Sequence, residues 1–210
     1  MYAMQYRTGA LVLLVLILAC IPGCTTSNPE PVPPPEATVP VTVPTPESTL
    51  AAVPSADMAL QPADLPSDYV LRERSVMTSP EVSQLTRDLG WKQGYYVTFD
   101  RTGRSRSDQT RVRQAVSIFP IENMNRVFKL EKIELSESTN PFSSPNEIPF
   151  PVVGDQSVAY RMTDTPEEGQ VTYTVIFIKK NVFERITMSG TSTDYEMLKD
   201  IVQKAAGKIT

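Results

Sequence analysis

Strand-like alternation of apolar and polar positions is clearest near the C-terminal end of the chain. Residues 170–188 read QVTYTVIFIKKNVFERITM, a run rich in β-branched and aromatic residues with Lys179, Lys180 and Asn181 at its centre. Such residues favour strands and the polar triplet suits a tight connection, so the run predicts a β-hairpin. Apolar residues fill odd and even positions alike in 175–178, and we therefore expect the first strand of this hairpin to be covered on both faces.

Four other segments also show strand patterns. Residues 94–102 and 110–120 place apolar residues on one face and flank the polar stretch GRSRSD, which predicts a second hairpin. Residues 68–76 and 157–162 alternate more weakly, and we read each of them as a strand. The chain thus carries six predicted strands.

Helical patterns separate or follow these strands. Residues 78–90 begin with polar residues and a proline and end on a glycine, as helices often do. Residues 122–135 form an apolar helical stripe that Glu131 interrupts. A third stripe occupies residues 198–209 and follows a Thr-x-x-Glu sequence at Thr193, which has the spacing of a capping box.

The predicted order of elements is therefore β-α-β-β-α-β-β-β-α. Consecutive hairpins with intervening helices are typical of the α+β class, in which helices pack against an antiparallel sheet. We expect this fold for a single globular domain at residues 67–210. Within it, residues 136–155 contain four prolines and predict a loop.

The last strand pair and the closing helix, VTYTVIFIKKNVFERITMSG…LKDIVQKAAGKI, resemble the C-terminal half of PsbP-like domains. In element order the resemblance extends over residues 67–210. It implies a sheet sandwiched by helices. It also implies an accessory or assembly role, since most members of that family are not catalytic.

The first 24 residues have the layout of an export signal. Residues 9–21 are uncharged and almost wholly apolar, but thirteen residues are too few for a helix that spans a bilayer, which takes about 20. The sequence IPGC at 21–24 resembles the lipobox of prokaryotic lipoproteins. This resemblance implies cleavage between Gly23 and Cys24 and attachment of lipid to the Cys24 thiol.

Other readings of this signal stay open. ILAC, which ends at Cys20, is a competing lipobox match, and Pro22 is atypical of the motif. The polar run TTSNPE directly after Cys24 favours Cys24 over Cys20. An uncleaved membrane anchor and an ordinary secreted protein are the remaining alternatives.

A proline-rich stretch follows the signal. Eleven of the 19 prolines lie between residues 25 and 66, together with five acidic residues and no Lys or Arg. Proline removes backbone donors and the stretch offers little apolar surface, so we predict a disordered, extended stalk. The predicted organisation is a signal peptide at 1–23, a lipid-anchored disordered linker at 24–66 and the globular domain at 67–210.

The composition excludes several kinds of chemistry. The chain has no histidine and no cysteine beyond Cys24, so its domain lacks the usual general base, thiol nucleophile and common transition-metal ligands. No Gly-x-Ser-x-Gly or phosphate-binding glycine loop occurs. We predict no catalytic residue, metal or cofactor. Residues 67–210 hold 19 acidic and 19 basic residues, a neutral balance that argues against a nucleic-acid partner.

Two clusters are candidates for binding. Arginines in the hairpin of 94–120 have the geometry to contact phosphate or carboxylate groups; they are Arg101, Arg104, Arg106, Arg111 and Arg113. The alternative is that these charges keep a loop soluble and discourage edge pairing. Trp91, Tyr95 and Tyr96 suit either the floor of a pocket or the core.

These observations predict a lipid-anchored protein of the cell membrane that faces the extracytoplasmic side. Its role would be binding or assembly in the envelope, with a membrane contact through the lipidated cysteine. The arginines make an anionic envelope polymer, a lipid headgroup or an envelope protein the expected partner. The alternatives are a histidine-free hydrolase that uses carboxylates and a carrier of small molecules or lipids.

Overall fold

The computed structural model describes residues 50–51, 53–102, 109–137, 145–163 and 169–210. All of them belong to one compact unit, Thr45–Thr210. The signal, Gly23, Cys20, Cys24 and most of the proline-rich stretch lie outside the described residues.

Seven strands of this unit form one antiparallel sheet in the order β1-β2-β3-β7-β6-β5-β4. The strands are β1 (Tyr69–Met77), β2 (Gln93–Thr102), β3 (Gln109–Ile118), β4 (Asn146–Ile148), β5 (Gln156–Thr163), β6 (Val171–Lys179) and β7 (Val182–Gly190). The helices are α1 (Ser55–Met58), α2 (Gln84–Asp88), α3 (Met124–Ser136) and α4 (Tyr195–Gly207). The predicted α+β fold, an antiparallel sheet with helices packed against it, is confirmed.

The sheet has an apolar core on each side. On the side that we call the α4 face, α1 and α4 cover side chains that include Val97, Phe99, Val112, Val175, Phe177 and Ile186. On the opposite side, the α3 face, α3 covers a second cluster that includes Val158, Ile176, Ile178 and Phe183. Alternate residues of β6 enter opposite cores, and this confirms the expectation that the strand is covered on both faces.

The hairpin turn and the longer helices agree with the sequence pattern, and the differences are local. Lys180 forms the β6–β7 turn with a φ of 57°. The segment at 78–90 is a short 3-10 turn followed by α2, because Ser83 starts a new helix. Asp194, rather than Thr193, caps α4 by accepting bonds from the backbone N–H groups of Glu196 and Met197. Strand β4 lies inside residues 136–155, for which the sequence predicts a loop.

The folded domain begins before residue 67, so the predicted boundary of the disordered linker is wrong. Met58, Ala59 and Leu60 are at most 2% exposed and belong to the core of the α4 face. The backbone N–H of Ala51 donates to Asn181 Oδ1 at 2.6 Å. Lys208, the residue after α4, forms a salt bridge of 2.9 Å with Asp64. An apolar Met-Ala-Leu triplet in a proline-rich context is sufficient to bind this segment to the sheet.

A buried polar chain underlies the N-terminal segment. The Leu60 N–H donates to Gln114 Oε1 at 2.6 Å, and Gln114 Nε2 donates to Glu184 Oε2 at 2.8 Å. Glu184 is fully buried, and its Oε1 has no hydrogen-bond partner among the described residues. Burial raises the pKa of Glu184 from 4.5 to about 8, although the bond from Gln114 and the charge of Lys208 oppose this change.

We predict that Glu184 makes the domain less stable as pH rises. Its carboxyl ionises in the unfolded chain above pH 4.5 but in the folded chain only near pH 8. The proton therefore favours the folded state below 4.5, and this stabilisation is lost progressively up to about pH 8. Glu184→Gln should remove a fall in unfolding free energy of roughly 2–4 kcal/mol between pH 5 and 8, measured by urea denaturation.

Glu196→Gln is the matched control, because Glu196 is exposed on α4 and pairs only with Lys199 among the described residues. The control should keep the pH dependence of the wild type. If the unfolding free energy of the wild type and that of Glu184→Gln fell equally between pH 5 and 8, Glu184 would not be the group responsible.

We also predict opposite effects for two glycine substitutions. Gly190 has a φ of 143°, and a Cβ there would stand 2.0 Å from the carbonyl oxygen of Gln109. Gly190→Ala should therefore lower the unfolding free energy by about 2 kcal/mol or more. Gly207 ends α4, and a Cβ added there would meet no other atom within 4 Å among the described residues. Gly207→Ala should therefore raise the unfolding free energy by up to about 1 kcal/mol. Denaturant titration of both variants tests the pair.

Candidate functional site

Helix α3 covers only part of its own face of the sheet. It packs on β5, β6 and β7, whereas no described helix packs on the middle of β1, β2 and β3 on this side. We call this uncovered region the open half-sheet; its side chains come from alternate residues of β1–β3 and from the second half of β7. Most of these side chains are polar, which explains why the helix layer stops here.

A groove of about 230 Å³ lies between α2 and α3 on the same face. Its lining is mostly apolar, with hydroxyl and carboxyl groups among the apolar side chains: Ser83, Leu85, Thr86, Leu89, Phe119, Val127, Leu130, Glu131, Ile133 and Glu134. Two of its apolar residues, Leu85 from α2 and Ile133 from α3, are 49% and 38% exposed. We call this feature the α2–α3 groove.

Local hydrogen bonds hold α2 in position beside α3. Ser83 Oγ caps α2 by accepting from the Thr86 N–H at 3.1 Å. Arg87 donates to the carbonyl of Val82 at 2.6 Å. Gly90 ends the helix with a φ of 80°, and Asn123, just before α3, donates to the Leu89 carbonyl at 3.0 Å. These bonds link α2 to the start of α3 and fix the two walls of the groove.

One end of the groove carries a charged cluster. Arg185 on β7 forms a salt bridge with Glu131, and its Nη2 lies 3.8 Å from Glu134 Oε1. Burial raises the pKa of Glu131, which Arg185 opposes and Glu134 reinforces. Two carboxyl groups share one guanidinium, so this end has a net negative charge when both are ionised. The interruption of the helical stripe at Glu131 is thus explained, because the side chain pairs with the sheet.

The structure separates the predicted arginine cluster. Arg101 points to the α4 face, where it lies 5.6 Å from the Tyr69 ring and donates to the Ser192 carbonyl at 2.9 Å. Arg111 lies on the α3 face, and its Nε is 2.7 Å from Asp100 Oδ1. Arg113 shares that face by strand alternation. Arg104 and Arg106 lie outside the described residues.

The aromatic cluster is also divided between the two faces. Trp91 packs against the core of the α3 face, and Tyr95 packs against the core of the α4 face. The Tyr96 hydroxyl donates to Glu73 Oε1 at 2.7 Å on the open half-sheet. The three rings therefore do not form the floor of one pocket.

The described residues hold neither a metal site nor a membrane-spanning helix. They contain no group of three or more acidic, His or Cys side chains able to hold a metal ion. No helix in the part of the chain that the structure describes is long and apolar enough to cross a bilayer.

Comparison with known proteins gives a structural neighbour. No family model matches the chain, and no curated protein matches it. The extracellular domain of PknH from Mycobacterium tuberculosis is similar in structure, with a TM-score of 0.56. The two share 11% sequence identity, and the match covers 73% of this chain and 93% of that chain. The similarity shows that the two domains share a fold.

Proposed function

We propose that this chain is a lipid-anchored protein of the cell envelope whose domain binds a partner on the extracytoplasmic side without catalysis. The lipobox-like sequence at 21–24 supports the anchor. The α2–α3 groove carries the binding role, because it is a concave apolar surface that the fold leaves open to solvent.

The exposed residues of the groove support an occupant. Leu85 and Ile133 line it from different helices, with a large part of each side chain in water. Burying that apolar surface against a ligand is favourable by about 25 cal/mol for each Å². Two large, partly exposed apolar side chains in one groove therefore favour a ligand that inserts an apolar group between the helices.

The size of the groove favours docking of one group over carriage of a whole lipid. Pockets that enclose small molecules usually measure about 300–1,000 Å³. A volume of about 230 Å³ holds an aromatic ring or a short aliphatic chain. This supports a binding or assembly module more than a carrier, in which the ligand would be enclosed.

The charged end of the groove adds a chemical preference. Glu131 and Glu134 together carry one more negative charge than Arg185 neutralises when both are ionised. A ligand with an apolar body and an ammonium group or other hydrogen-bond donor matches this arrangement.

The hydrolase alternative also has its best candidates in this groove. Glu131 and Glu134 lie one helical turn apart, and the pKa of Glu131 is raised by burial, as a general acid requires. Both carboxyl groups, however, already interact with Arg185. Because a paired carboxylate is less available to transfer a proton, the arrangement favours binding over acid catalysis.

The lipid anchor predicts that Cys24 alone carries a fatty acid. Cells that express the full chain are grown with an alkyne-bearing fatty acid, and the purified protein is then coupled to a fluorophore. The wild type and Cys20→Ser should be labelled, whereas Cys24→Ser should lose the label. A label that disappears with Cys20→Ser instead would assign the anchor to the competing motif, and an unlabelled wild type would refute lipidation.

The groove predicts binding of an aryl-alkyl amine. 4-Phenylbutylamine combines an apolar body with an ammonium group and should bind with a dissociation constant of roughly 1–10 mM, given about 0.3 kcal/mol for each non-hydrogen atom. NMR shift changes at Leu85, Leu130 and Ile133 would measure it. Ile133→Gln should weaken binding about tenfold, because it removes one apolar wall of the groove.

Ile121→Gln is the matched control, since Ile121 is 39% exposed and does not line the groove. It should change the affinity less than twofold. 4-Phenylbutyrate, with the opposite charge, should bind more weakly than the amine. Equal binding to both isoleucine variants would exclude the groove as the site.

A further inference from the structure

Three arginines surround one carboxylate on the open half-sheet. Asp100 on β2 accepts two hydrogen bonds from Arg111 on β3, at 2.7 and 3.1 Å. The hydrogen bond from Arg111 lowers the pKa of Asp100, and the charges of Arg111, Arg72 and Arg113 act in the same direction. Arg113 lies opposite Thr98, two residues from Asp100 on the same face of the sheet. Among the described residues, neither Arg72 nor Arg113 has a salt bridge to a carboxylate. The group, which we call the arginine patch, combines three positive charges with one negative charge and is therefore cationic; Glu73, on the same face, bonds to Tyr96.

Protection of a sheet edge does not explain this patch. Charged side chains often prevent edge strands from pairing with other chains. That account suits Arg72, which occupies an irregularity of the edge strand β1 between Leu71 and Glu73. Arg111 and Arg113 lie on β3, which is hydrogen-bonded to β2 on one side and to β7 on the other. Edge protection therefore does not account for Arg111 and Arg113, which lie on the solvated face of an interior strand.

The surroundings of the patch are rich in hydroxyl groups. Arg113 is flanked across the strands by Thr187 on β7, which is partly exposed, and by Thr98 on β2, which is buried. Arg111 is flanked on the β7 side by Ser189. Serine and threonine hydroxyls donate and accept hydrogen bonds, so the surface around the arginine patch suits a polar ligand rather than an apolar one.

The shape of this face favours a chain over a flat surface. Helix α3 rises from the same face, on β5–β7, and a helix adds a layer roughly 10 Å thick. A flat bilayer laid on this face would meet α3 before it met the arginines, whereas a narrow polymer can lie along the strands. Strands β1 and β3 are two strand spacings apart, about 10 Å, so Arg72 and Arg113 can pair with two separate charges of one polymer.

We propose that the open half-sheet binds a linear anionic polymer, whose carboxylate or phosphate groups pair with Arg72 and Arg113. The polymer lies across β1–β3 beside α3, and the partly exposed hydroxyls of Thr187 and Ser189 bond to its backbone. This site is separate from the α2–α3 groove, and neither depends on the other.

The test uses the full-length protein in detergent and three probes. Oligogalacturonate supplies repeated carboxylates, polyphosphate supplies repeated phosphates, and dextran is the neutral control. Calorimetry at about 50 and about 200 mM salt measures each affinity. Binding of at least one anionic probe, weakened by salt and absent for dextran, is expected; which probe binds more tightly distinguishes the two chemistries.

Arg72→Gln combined with Arg113→Gln should reduce the affinity at least tenfold. The control combines Arg74→Gln with Arg126→Gln, which removes the same charge elsewhere: Arg74 lies opposite Val97 and faces the other side of the sheet, and Arg126 is exposed on α3. The control pair should change the affinity less than threefold. Equal losses in both pairs would show only a general charge effect and would overturn the proposal.

Vesicles that contain phosphatidylglycerol form the last arm. Arginine-dependent binding to these vesicles without binding to either polymer would assign the patch to a lipid surface and overturn the proposal. Absence of binding to all anionic probes at the lower salt concentration would also overturn it.

Discussion

The fold depends on the apolar character of β6 on both faces. Val175 and Phe177 enter the core under α4, while Ile176 and Ile178 enter the core under α3. One strand therefore requires a helix on each side of the sheet, and the interior of the domain is built around it. Strands β2 and β3 are apolar mainly on the α4 face. Helix α3 consequently stops short of them, and the same constraint that fixes the core leaves the open half-sheet exposed.

The N-terminal segment completes the core of the α4 face, and this requires polar side chains to be buried beneath it. Residues 58–60 fill the core, and the Leu60 N–H needs an acceptor, which Gln114 supplies. Gln114 in turn donates to Glu184, a buried carboxyl group whose second oxygen has no partner in the part of the chain that the structure describes. A neutral carboxyl is far easier to bury than a carboxylate, so the raised pKa is the consequence of placing this chain of polar groups inside the core.

The sequence predicts elements well where the pattern reflects one strong local cause. The hairpin of β6 and β7 is evident because β-branched residues, two-sided apolarity and a polar turn agree. The start of the domain is hidden from sequence reasoning because the proline-rich composition of residues 25–66 masks the short Met-Ala-Leu triplet at 58–60. The α2–α3 groove is hidden as well, because it brings α2, α3 and Phe119 together across long sequence separations. Its single local signal is Glu131, a charged residue in an apolar stripe whose partner Arg185 is 54 positions away.

The two candidate sites also differ in where they lie relative to the point at which the chain enters the domain. Ala51 bonds to Asn181 at the β6–β7 turn, and Phe119, which lines the groove, donates its N–H to the carbonyl of the same Asn181. The arginine patch lies at the other end of β7, where Arg111 on β3 lies opposite Ser189 in the register of the two strands. The strand between Val182 and Ser189 spans about 23 Å. The described chain therefore enters the domain at the groove end of this face, and the arginine patch lies at the opposite end.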